Sequence, residues 1–391
     1  MKENKSGKRN KARKRDPKRL FGMLLGMLIG FVLGFVLVIG MPDDASFGTQ
    51  MMLMCSMLLT FYLSMVVQII IHEAGHMVFG LLSGYRFLSF RVFSLMWVKQ
   101  QGRIRLKRLG LAGTAGQCLM APPEPVDGRI PVVLYNLGGV LMNLIASVIF
   151  FAICVFTPGV PVLSFFWALC AASGVLTALV NGIPFSGGMV NNDGRNALSV
   201  GKHPAAMHSF YVQLKVAELT TDGVRLKDMP DEWFSVPSDE EMRDGMTAVQ
   251  GVFACNRLVD AGKLEEADRL IDHLLTIDNG IIELHRRLLI CDQIYLAVTL
   301  KQDPAGAAGL LDKKQQKFMK GMVRFPSVLR TEYAYQLLGR RDVSRAEQVK
   351  RRFEKMAKKY PYEADIWSER ERMDDAEKLS RKQEEAAAPS L

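Results

Sequence analysis

Three long runs without a charged side chain set the architecture of this chain: Leu20 to Pro42, Ala45 to Ile71 and Ile130 to Asn192 contain no Asp, Glu, Lys or Arg. About 20 apolar residues cross the hydrocarbon core of a bilayer, so these runs have membrane length. They predict four spanning helices at roughly 20–41, 51–82, 131–156 and 161–185, with Pro158 and Pro161 marking the turn between the last two. In the first run Gly22, Gly26, Gly30 and Gly34 recur every fourth residue, which lines them along one helical face as a packing seam.

The segment between the second and third runs, 85–129, has a different rhythm. Phe87 to Val98 is rich in aromatic and β-branched residues, Gln100-Gln101-Gly102 reads as a turn, and Arg103 to Leu106 alternates basic with apolar. This pattern predicts a β-hairpin at the membrane surface. After Asp193 the chain becomes polar with helical periodicity. Three helix-turn-helix segments, turning near Gly262, Asp303 and Gly339, resemble degenerate tetratricopeptide-type repeats.

The expected fold is an α-helical polytopic membrane protein with a small surface β-hairpin, followed by an all-α helical-repeat domain in the cytosol. The expected divisions are a basic head at 1–19, a membrane domain at 20–200, the helical repeats at 203–377 and a flexible tail at 378–391, charged and Ala-rich.

Charge fixes the orientation. The chain carries a formal net charge of +10, but residues 194–391 hold 32 basic and 32 acidic side chains and are neutral. The excess lies in the head and in 85–129, while the loops expected on the other side contain no Lys or Arg. Such an asymmetry is a topology signal, which places both termini in the cytoplasm and leaves no reason to invoke a nucleic-acid partner. The architecture suits the plasma membrane of a bacterium. The six cysteines are widely spaced and form no C-x-x-C pair, so they read as packing residues.

Chemistry concentrates in His72-Glu73-Ala74-Gly75-His76. Histidines at i and i+4 share one helical face and are able to hold one zinc ion together, with the intervening glutamate free to act as general base. Ionisable groups inside a membrane helix cost about 2.5 to 3.5 kcal/mol each on insertion scales, so three within five residues need a compensating function. A catalytic zinc takes a third protein ligand. The next ionisable residue beyond the long uncharged run is Asp193, on the same side as the histidines; it is either that ligand or an exposed carboxylate at a helix exit. His203, His208, His273 and His285 lack metal spacing, and His285, beside Arg286 and Arg287, reads as part of a solvated face.

Taken in order, His72-Glu73-x-x-His76, Gly139-x-x-x-Asn143 and Asn181-x-x-Pro184 leading to Asp193-Gly194 resemble the site-2 protease family of intramembrane zinc metalloproteases over roughly residues 51–200. The resemblance implies that His72, His76 and Asp193 bind Zn2+, that Glu73 is the catalytic base, and that Asn181 and Asn143 hold substrate or support the site. It implies membrane proteins as substrates, cleaved by regulated intramembrane proteolysis. The interval from Asn181 to Asp193 is longer than in many members, and Gly187 and Gly188 would let it fold back. Two other readings compete: a catalytically silent membrane scaffold whose repeats recruit a cytosolic protein, and a transporter using the intramembrane charges as an ion path.

Overall fold

The computed structural model describes residues 46–111, 114–157, 161–184, 191–201 and 203–387. The basic head, the first expected span with its glycine seam, and Gly187 and Gly188 lie outside these residues. The chain divides into two compact units, Met1–Leu63 and Ser64–Leu391. Of the first, only the opening turns of helix α1 (Phe47–Leu82) are described.

Among the described residues, three helices are long and apolar enough to cross a membrane: α1, α2 (Val133–Phe156) and α3 (from Pro161 to Gly182). Their side chains are arranged inside out relative to a water-soluble bundle. Val148, Phe151 and Phe156 of α2 are exposed, while Gln68, Asn143, Ser147, Ser173 and Thr177 are buried. That distribution suits a lipid solvent, in which helices gain nothing by hiding leucine and associate through close packing and polar contacts. Helices α1 and α2 approach closely, so that a β-carbon on Gly75 would overlap the Gly138 carbonyl and one on Gly138 would crowd Gly75. Polar bonds tie the three helices together: Asn143 of α2 donates to Gln68 of α1 at 2.7 Å, and Gln68 donates to the Cys170 carbonyl of α3 at 2.7 Å.

The segment after α1 forms more than the expected hairpin. Four antiparallel strands, β1 (Arg86–Val92), β2 (Leu95–Gln100), β3 (Arg103–Arg108) and β4 (Gly116–Ala121), lie in the order β3-β2-β1-β4. The β2–β3 turn falls at Gln101-Gly102, both with positive φ, the two-residue turn whose twist matches flanking strands. The run from Phe87 to Val98 is two strands, broken by a second tight turn at Phe93-Ser94. β2 has one face on each environment: Met96 and Val98 are fully buried in the core of the C-terminal helices, whereas Leu95 and Trp97 stay exposed beside Ile104 and Leu106 of β3.

Beyond the spans come α4 (Asp193–Val200), α5 (Pro204–Thr221), α6 (Gly245–Asp260), α7 (Leu264–Thr276), α8 (Glu283–Thr299), α9 (Pro304–Leu310), α10 (Lys313–Gly321), α11 (Pro326–Ala334), α12 (Val343–Ala357) and α13 (Glu363–Ala387). The expected turns at Gly262, Asp303 and Gly339 fall between α6 and α7, α8 and α9, and α11 and α12. The middle pair is lopsided, because α9 has only 7 residues and α10 follows it. Helix α13 carries the chain past Lys378 to Ala387.

Two features of this region depart from the reading above. His285 does not sit on a solvated face; its Nδ1 is buried and without a hydrogen-bond partner. And the C-terminal helices are joined to the sheet, since Arg108 N–H donates to the Lys359 carbonyl at 2.9 Å and Gln100 Nε2 to the Pro361 carbonyl at 2.6 Å. Lys359–Tyr362, the turn before α13, is thus bonded to β2 and β3.

Candidate active site

His72 and His76 lie one turn apart on the C-terminal half of α1, both buried. Their outer ring nitrogens are held by α2. His72 Nδ1 is 2.6 Å from Asn143 Oδ1, and His76 Nδ1 is 2.8 Å from the Tyr135 carbonyl. The amide of Asn143 can point only one way, because its Nδ2 donates to both the carbonyl and the side-chain oxygen of Gln68. Its Oδ1 therefore faces His72 as an acceptor, which puts the proton of His72 on Nδ1. The Tyr135 carbonyl does the same for His76. Both neutral rings then aim the lone pair of Nε2 inward.

The inward nitrogens meet each other and one carboxylate. His72 Nε2 and His76 Nε2 are 3.3 Å apart, and Asp193 Oδ2 is 2.9 Å from the first and 3.4 Å from the second. Three acceptors converging in this way repel one another unless a cation sits among them. The triangle has the size a zinc ion needs: bonds of 2.0–2.1 Å in a tetrahedron separate ligand atoms by about 3.3 Å. Among the described residues, His72, His76 and Asp193 form the one group able to hold a metal ion, and it fits zinc in donor type, spacing and outer hydrogen bonds.

Several residues position this group. Asn192 caps α4 by accepting from Arg195 N–H, and it donates to the carbonyls of Val180 and Ile183 at the end of α3. Asp193 follows it at the first position of α4. The long connection from Asn181 closes where Gly194 packs on the Gly182 carbonyl so tightly that a β-carbon would overlap it. Gly139 gives the His72 ring its space in the same way. Glu73 is buried beside the group, within electrostatic reach of both histidines and Asp193, and its carboxylate lies against Gly116 at the start of β4. Arg91 of β1 is completely buried and also acts electrostatically on Glu73; it donates to the carbonyls of Phe93 and Gly116.

The structure thus brings His72, Glu73, His76, Asn143 and Asp193 together. Asn181 is half-buried on α3, with its Nδ2 bonded to the Thr177 carbonyl one turn back. Gln68, Tyr135, Asn192, Gly116 and Arg91 were not singled out from the sequence. Gln68 was detectable, as a polar residue about one helical turn before His72 in an otherwise apolar run; the Tyr135 contribution is a backbone carbonyl and carries no side-chain signature.

The model of Peptidase family M50, the site-2 protease family, matches residues 60–357. No curated protein and no solved structure matches the chain. The match runs well past residue 200, into the C-terminal helices as far as the last turn of α12. With most of the chain covered and the metal-holding group inside the matched span, this protein belongs to peptidase family M50 and is a membrane metalloprotease of the site-2 type.

Proposed function

We propose that the chain is a zinc endopeptidase that cuts membrane-embedded protein substrates in regulated intramembrane proteolysis. The observation that carries this is the triangle of His72, His76 and Asp193 with the Glu73 carboxylate beside it. His72, His76 and Asp193 would hold the ion, and Asn143 and the Tyr135 carbonyl would fix the two imidazoles for it. When bound, zinc supplies a Lewis acid for the scissile carbonyl and lowers the pKa of water towards about 7. Glu73 takes the proton of the attacking water and delivers it to the departing amine.

A helical substrate hides its carbonyls in its own hydrogen bonds, so the segment to be cut must be unwound and held extended. β4 suits that task, since it pairs with β1 on one side, has no strand on the other among the described residues, and begins at Gly116 against Glu73. Asn181 is a second candidate for holding the unwound segment. The exposed Leu95, Trp97, Ile104 and Leu106, with Lys99 and Arg108 on the same face, fit a sheet resting at the cytoplasmic surface of the bilayer. On this reading the C-terminal helices lie in the cytosol and the chain crosses the cell membrane several times.

The test is a quantitative membrane proteome of cells carrying the wild type against cells carrying Glu73→Gln. Single-span proteins that accumulate uncut in the variant support the reading and name its substrates. An unchanged proteome, with the wild type expressed and zinc-loaded, would overturn it in favour of a scaffold.

A further inference from the structure

The C-terminal helices line a partly open cavity of about 250 Å³, bounded by α5, α6, α8, α11 and α13. Four carboxylates line it, Asp260, Asp292, Asp365 and Glu369, against two guanidinium groups, Arg225 and Arg330. His285 adds no positive charge, because burial lowers its pKa to about 4. Carboxyl groups therefore outnumber basic groups on the wall.

The polar groups of that wall are incompletely matched. Arg330 is fully buried; its Nη2 donates to Asp292 at 2.5 Å and its Nε to Glu369 at 2.8 Å, while its Nη1 has no partner. His285 Nδ1 has none either. Asp365 is bonded only by the Tyr360 hydroxyl at 3.4 Å, and among the described residues no cation pairs with it. Glu369 follows it by one turn on the same face of α13, a spacing at which like charges repel. An unmatched donor and a carboxyl group without a cation partner thus share one small chamber.

The geometry points to a binding site for a small organic cation that also carries a hydrogen-bond acceptor, the chemistry of a basic amino acid. Its ammonium would sit between Asp365 and Glu369, and its acceptor would satisfy Arg330 Nη1. A metal ion suits the chamber poorly, since no carboxylate cluster here gathers its oxygens closely enough to ligate one. The volume, equal to about eight waters, admits a metabolite but not a folded peptide. The site also has a route to the sheet: Asp365 lies three residues after Tyr362, and the Lys359–Tyr362 turn is bonded to β2 and β3.

Calorimetry on full-length Glu73→Gln protein in nanodiscs tests this, with L-lysine and L-arginine as probes and L-glutamate as the charge-reversed control. Because this variant lacks the proposed base, binding is read without cleavage, and failure of the protease reading leaves the measurement intact. The expected result is saturable binding of a basic probe with a dissociation constant at or below about 1 mM, weakened at least about tenfold by Asp365→Asn, and no binding of glutamate. Ser368→Phe, which would fill the chamber, should abolish it. No saturable heat with lysine or arginine from folded protein, equal binding in Asp365→Asn, or a preference for glutamate would overturn the assignment. Should Ser368→Phe fail to fold, Asp365→Asn carries the comparison alone.

Discussion

Asn143→Leu separates the two roles open to this asparagine. The leucine is close in volume but cannot accept from His72 Nδ1, so a fully buried N–H loses its partner at 2.6 Å and Gln68 loses the donor that fixes it. Loss of an outer hydrogen bond to a metal-binding histidine costs about 10- to 100-fold in metal affinity, or roughly 1.4 to 2.7 kcal/mol. The assay is zinc competition against a chromogenic chelator in detergent-solubilised protein, paired with cleavage of a single-span reporter at saturating zinc. Asn143→Asp, which keeps an acceptor toward His72, should recover most of the affinity. A residue that instead held substrate would raise KM and leave zinc affinity alone. Unchanged zinc affinity in a folded Asn143→Leu protein, within about twofold, would refute the positioning argument.

Gly116→Ala would push a methyl into the Glu73 carboxylate, so cleavage should fall about 100-fold while zinc affinity is kept; equal loss of both would mean the strand, not the carboxylate, had moved. Asn192→Ala removes the α4 cap and two bonds to α3, and a cap is worth about 1 kcal/mol, so zinc titration should show affinity reduced roughly fivefold through a looser Asp193. Burial, and then the Glu369 charge, raise the Asp365 pKa to about 7. The folded state therefore keeps a proton that the unfolded chain has released between about pH 4 and 7, and stability from this group falls as pH rises through that window. Asp365→Asn should accordingly raise the melting temperature by a few degrees at pH 8, with a gap that narrows towards pH 5; a constant gap would count against an ionised Asp365.

The parts of the site that were legible in the sequence are those carried by short spacings. His72 and His76 face the same way because four residues make one helical turn, and Asp193 stood out as the first charge after a membrane-length run. The order of Asn143, Asn181 and Asp193 was readable only through family resemblance. β4 escaped because Gly116-Gln-Cys-Leu-Met-Ala has no alternation; packed on both faces, it has none of the half-buried rhythm that exposes a strand. His285 was misread because its arginine neighbours suggested solvent. In fact Arg287 reaches Glu283 one turn away and Arg286 donates back to the Leu275 carbonyl, which leaves His285 on the inner side of α8. The bonds from Lys359 and Pro361 to the sheet join residues some 250 positions apart, beyond the reach of any local pattern.

Those two bonds bear on how such a chain can be inherited and recombined. A protease that carried its C-terminal helices as a detachable appendage could exchange them for another module at a linker near residue 200. Here the exchange would strip Gln100 and Arg108 of their acceptors and leave Met96 and Val98 facing water, on the sheet that brings Gly116 to Glu73. Membrane helices, sheet and C-terminal helices are thus bound to change together, and a substitution in the Lys359–Tyr362 turn should be compensated in β2 or β3 before it is compensated anywhere nearer in the chain.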